Sequence, residues 1–195
     1  MADSRTTDNL GQRVKALRKA RGYRTTRDLA EAATNTGLTE SVIENIEAGR
    51  KADLPVSQLL NLAYALGVPP VVLLADVTQS EPHPDYPNLS PELQKMSASE
   101  FDSWLAGAAE GSYRPRSALE HSYLNQLEAR RELVRARAEI LRISAVLSIE
   151  KDMRSENAPA PARTDIMRTR LDELSARALQ LEEYLQSAGW TVSPE

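Results

Sequence analysis

The chain has no cysteine, which excludes a disulfide framework and any thiolate metal site. Aromatic residues are scarce: Phe101 is the only phenylalanine, and Trp104 and Trp190 are the only tryptophans. Glycines are few, and no Gly-rich phosphate loop, nucleophile elbow or zinc spacing occurs. The two histidines, His83 and His121, have no neighbouring cluster of metal ligands and are read as surface residues. No apolar run is long enough to span a bilayer. The opening MADSRTTDN has no apolar stretch, so no secretory signal is expected. No catalytic residue, metal site or cofactor is expected, and a cytoplasmic location fits these absences.

What is abundant is Leu, Ala, Glu and Arg, a composition that favours helix over sheet. The formal net charge is −4, but its distribution matters more than its sum. Residues 1–78 hold ten Lys/Arg against nine Asp/Glu, whereas residues 79–114 hold two against six. Most bases of the first segment fall between Arg13 and Arg27, with Arg50-Lys51 apart. A locally basic face is therefore open, beside the plainer reading of a mixed solvated surface.

Local signals predict five short helices in the first segment. Leu10, Val14 and Leu17 recur at helical spacing, up to Gly22. Thr25-Thr26 offers an N-cap for a second helix over 27–33. Thr34-Asn35-Thr36-Gly37 reads as a turn. Thr39 caps a third helix, with Val42, Ile43 and Ile46 on its apolar face and Gly49 at its end. Leu59, Leu60, Leu62, Ala63 and Leu66 form a fourth, closed by Gly67, and Pro69-Pro70 starts a fifth over 71–74.

Beyond these, residues 79–91 carry four prolines and read as a linker. Leu93 to Ala109 is expected to form one or two short helices, the second capped by Ser99. From Ser117 to Met153 there is neither Gly nor Pro. Leu133, Ala136, Ile140, Ile143 and Leu147 there alternate by three and four, widened by Leu127, Val134 and Leu141. NAPAPA at 157–162 breaks the pattern. A last helix over 164–188 carries Met167, Leu171, Leu174, Ala178, Leu181, Leu185 and Ala188 on its seam. The two seams fit an antiparallel hairpin within one chain, a dimer contact, or both in a four-helix bundle; the dimer is favoured. The expected division is 1–78, 79–114 (linker with short helices) and 115–195 (helical assembly region).

Four blocks carry a resemblance: Leu10-Gly11-Gln12-Arg13-Val14 with Leu17-Arg18, Thr25 with Leu29-Ala30-Glu31, the run Leu38-Thr39-Glu40-Ser41-Val42-Ile43-Glu44-Asn45-Ile46-Glu47-Ala48-Gly49-Arg50, and Leu59-Leu60-Asn61-Leu62-Ala63-Tyr64-Ala65-Leu66-Gly67-Val68. Residues 10–74 are similar to the lambda-repressor-like helix-turn-helix family, also called the XRE family. The resemblance implies an all-α fold, a five-helix domain ahead of the linker and the C-terminal helical region. It implies that the third helix enters the major groove of double-stranded DNA. Ser41 and Asn45 then face base edges, with Val42 beside them; Glu40 either accepts from cytosine N4 or repels phosphate and so selects against other sites; Thr39, Arg50 and Lys51 meet the sugar-phosphate backbone. Thr26 stands where the family usually has a phosphate-binding glutamine. Arg18 and Glu47 are expected to form an internal ion pair. The turn before the third helix is longer than the family's usual one.

The reading that follows is a sequence-specific transcriptional regulator, a repressor acting as a homodimer on the nucleoid, with no membrane association. Two rivals stand beside it. One is an antitoxin-like or adaptor protein that grips a protein partner through its C-terminal helices. The other is a nucleoid organiser that bridges many sites.

Overall fold

The computed structural model describes residues 10–51, 53–75, 83–84, 86, 88–152 and 162–193. Among these residues the fold is all-α, with one isolated bridge between Ala75 and Pro84. No helix among them is long and apolar enough to cross a membrane. The chain divides into two compact units, Met1–Ala106 with Gly111–Arg114, and Gly107–Glu110 with Pro115–Glu195.

The first unit begins with α1 (Leu10–Ala20), α2 (Thr26–Ala32), α3 (Glu40–Glu47), α4 (Val56–Leu66) and α5 (Val71–Leu74). Their apolar faces meet in one core, with Val14, Leu29, Ile43, Ile46, Leu62 and Leu66 buried. The expected starts and stops are where the local chemistry places them. Thr25 caps α2 in a reciprocal box: its hydroxyl accepts from Asp28 N, and the Asp28 carboxylate accepts from Thr25 N at 2.8 Å. Gly67 closes α4 at φ 63°, in the left-handed region that suits glycine.

The Thr25 backbone hydrogen bond holds the Asp28 carboxyl below the ordinary aspartate value. A carboxylate depressed in the folded state contributes stability above its unfolded pKa and loses it as pH falls through the folded one. The carboxylate half of the α2 cap should therefore be intact at neutral pH and be lost only in acid below the ordinary aspartate value of about 3.9. An NMR titration of the Thr25 and Asp28 amides reads this directly. An unchanged amide pattern down to strong acid would contradict it.

Arg13 of α1 and Arg21, just past its end, bond inside the unit. Arg13 Nη2 donates to Leu73 O at 2.9 Å, at the end of α5. Arg21 donates to Leu66 O and Gly67 O, both at 2.6 Å, and so satisfies the C-terminal carbonyls of α4. The basic cluster read from the sequence is thus partly a set of internal clips.

Two short helices follow, α6 (Pro91–Gln94) and α7 (Ala98–Ala106). The α7 cap is Ser97, not Ser99. Ser97 Oγ accepts from Glu100 N at 3.2 Å, and the Glu100 carboxylate accepts from Ser97 N at 2.8 Å. The Ser99 hydroxyl instead pairs with that of Ser112. Much of the expected linker lies outside the described residues. Of the remainder, Tyr86 packs on the core and its hydroxyl accepts from Leu54 N at 2.7 Å. Asn88 donates to both oxygens of Asp53.

The second unit is an antiparallel hairpin of α8 (Ala118–Asp152) and α9 (Ala162–Ser187). Leu133 and Ala136 interlock with Ala178, Leu181 and Leu185, flanked by Ile140 and Leu174. Arg177 forks onto Glu132 at 2.7 and 2.9 Å, and Trp190 Nε1 donates to Gln126 at 2.8 Å. The two seams therefore face each other within one chain. Three of their members do not join: Val134, Leu141 and Ala188 are exposed. Val134 and Leu141 each follow an inward residue by one position, which turns them about 100° away from the seam.

Candidate nucleic-acid interface

Two contacts fix α3 to α1. Arg18 is only 5 % exposed and Glu47 9 % in their side chains. Arg18 Nε and Nη2 meet the two Glu47 oxygens at 2.6 and 2.9 Å, and Nη1 donates to Tyr23 O and Arg24 O. The expected internal pair is present. The hydrogen bond to Glu47 is also the main cause that raises the Arg18 pKa. The second contact is a close approach: a Cβ on Gly11 would lie 2.4 Å from Ile46 O. Gly11→Ala must push α3 off α1. A cost of about 1–3 kcal/mol is expected from this overpacking. Thermal denaturation checks it, and an unchanged melting temperature would contradict it.

The long turn before α3 is folded rather than loose. Thr34 Oγ1 donates to Glu31 O at 2.8 Å, the Thr36 hydroxyl donates to Ala33 O, and Asn35 takes φ 62°. Leu38 is buried in the core. The turn thereby delivers Thr39 to the N-cap of α3, where its Oγ1 accepts from Val42 N at 3.3 Å.

With Ile43 and Ile46 buried, α3 presents Glu40, Ser41 and Glu44 outward, all exposed. Val42 is half-buried at the flank. Asn45, expected on this face, is half-buried too, and its Oδ1 accepts from Arg50 Nε at 2.9 Å. Glu44 was not singled out from the sequence. Its spacing from Ile43 and Ile46 already places it one turn beyond Glu40, on the same side. The outward face of α3 is thus acidic: a carboxylate there repels phosphate but can accept from cytosine N4.

The remaining candidates lie around this face. Thr26, the first residue of α2, is half-buried. Arg50 is exposed, whereas Lys51 is half-buried and donates to Gln58. Arg27 is exposed and paired with Glu31 at 2.8 Å. Lys15, Lys19 and Arg24 are exposed bases of the same unit.

No curated protein and no solved structure matches the chain. Residues 9–75, roughly a third of it, match the family model of a helix-turn-helix domain. The N-terminal part of this chain is therefore a helix-turn-helix domain of the lambda-repressor-like, XRE type, the kind of domain found in DNA-binding regulators.

Proposed function

We propose that the chain is a sequence-specific repressor of transcription, acting in the cytoplasm on the nucleoid as a homodimer, with α3 in the major groove. The observation that carries this reading is the outward face of α3. Glu40, Ser41 and Glu44 stand exposed on a helix whose back is sealed into a helix-turn-helix domain. A helix fits the major groove, where every base pair has its own donor and acceptor pattern. The Thr39 hydroxyl, Thr26, Arg50 and Lys51 border that face and serve the phosphates. Residues 1–78 bind DNA, 79–114 connect, and 115–195 hold two copies together, so that two reading helices meet a twofold operator. Occupying such a site blocks transcription without any catalytic group.

Selection of bound duplexes from random DNA tests this. Recovery of a discrete twofold site is expected. Broad recovery without a shared sequence would replace the repressor with a nucleoid organiser, and no recovery would replace it with a protein-binding adaptor. Arg50→Ala should weaken binding to all sequences alike and lower the salt slope by about one unit, as for one lost phosphate contact. Titration against specific and scrambled duplexes at several salt concentrations reads both effects. An unchanged slope would remove Arg50 from the backbone contacts.

A further inference from the structure

The hairpin buries one side of α8 and leaves a second apolar stripe about 100° round from it, bordering Glu182, Gln186 and Val192. Val134, Ala138, Leu141 and Ala145 recur at steps of four, three and four, and Ile149 extends the row. Val134 is 48 % exposed, Leu141 70 % and Ile149 58 %, and both alanines are exposed. This is the spacing of a coiled-coil seam. On α9 the exposed apolar residues Ile166, Leu179 and Tyr184 are interrupted by Asp172, Glu173, Gln180 and Glu183 and form no comparable row.

We propose that α8 pairs through this stripe with α8 of a second copy, antiparallel, about a twofold axis near Glu139 and Ile140. The inference rests on the homodimer proposed above and names its interface. In that register Leu141 of one copy meets Ala138 of the other, and Val134 meets Ala145. Over these four positions each large side chain then faces a small one, so the helices can approach closely there. Parallel pairing would instead set leucine on leucine and alanine on alanine, alternating crowded and hollow layers.

Charge at the rim permits the contact. Arg135 is bonded to Glu128 and Arg142 to Glu139, both at 2.7 Å, and Arg137 to Glu182 at 3.0 Å. Each of these arginines beside the stripe brings its own carboxylate, so the two copies do not meet as bare like charges. An isologous contact of this kind closes at two copies, in keeping with a twofold operator.

The test is sedimentation velocity of the full chain over a range of concentrations, with far-UV circular dichroism. The wild type should be a dimer. Leu141→Glu should be a monomer with unchanged helix content, since the side chain it replaces faces solvent within one chain. Ala138→Leu should weaken the dimer roughly tenfold or more by overfilling one layer. Adding Leu141→Ala to it should restore the dimer, because large and small have only changed places. A wild type that stays monomeric overturns the homodimer and this interface together. A dimer that survives Leu141→Glu overturns the interface alone and leaves the homodimer standing. Failure of the swapped pair to recover overturns the antiparallel register.

Discussion

Glu47→Ala is expected to cost the N-terminal unit about 3–5 kcal/mol, the range for breaking one partner out of a buried ion pair. The reason is what remains. The Arg18 guanidinium stays buried, with two of its bonds still held by Tyr23 O and Arg24 O, but it loses the one carboxylate bonded to it, and Asp28 acts on it only at a distance. A domain is stable by only about 5–15 kcal/mol in total, so the loss should be close to unfolding. DNA binding should vanish with it, although Glu47 lies on the inner side of α3. Replacing both partners, Arg18→Met with Glu47→Leu, should recover much of the loss, because no orphan charge is then left. Chemical denaturation of the three proteins decides the matter. A cost for Glu47→Ala below about 1 kcal/mol, the level of an exposed pair, would mean that this contact does not hold α3 to α1.

Truncating the hairpin seam should have a comparable effect in the second unit. Leu133 and Leu185 are fully buried, one from each helix. Leu133→Ala or Leu185→Ala should each cost about 2–5 kcal/mol through lost transfer energy and the cavity left behind. Leu174→Asp with Leu181→Asp should go further and open the hairpin, because a carboxylate has no partner in that seam. Had the seam been a contact between copies, the same double variant would give a folded monomer. The intramolecular seam predicts loss of helix content instead. Circular dichroism beside sedimentation separates the two, and a fully helical monomer would contradict the hairpin.

The first five helices were legible because their signals are local. Thr25, Thr39 and Gly67 lie at the ends they mark, and the apolar residues repeat at the period of a helix. The cap of α7 was misplaced between two serines that are equally good caps in isolation. Glu100, three residues after Ser97, decides between them, and that spacing was available in the sequence. The destinations of Arg13 and Arg21 were not available. Their partners, Leu73 O and Leu66 O, are brought near only by the packing of α1 on α4 and α5. Composition alone therefore overstated the positive charge open to DNA. On α3 the phase of the two isoleucines sets Glu44 as far from the buried side as Asn45, so Glu44 was as legible as Asn45; the bond from Arg50 Nε to Asn45 Oδ1 was not. In α8, Val134 and Leu141 are apolar like the seam residues, but their phase turns them about 100° away from it.

The central claim is that the outward face of α3 reads bases, and the specificity ratio tests it most directly. Binding to a selected site and to a scrambled duplex should be titrated at fixed salt for the wild type, Arg50→Ala, Glu44→Gln and Ser41→Ala. Arg50→Ala should lower both affinities and leave their ratio. Glu44→Gln should tighten binding to scrambled DNA by removing a repelling charge. It should also abolish preference at one base pair of each half-site, a loss of about 1–3 kcal/mol in discrimination. A ratio unchanged in Glu44→Gln and in Ser41→Ala would mean that α3 does not read the groove.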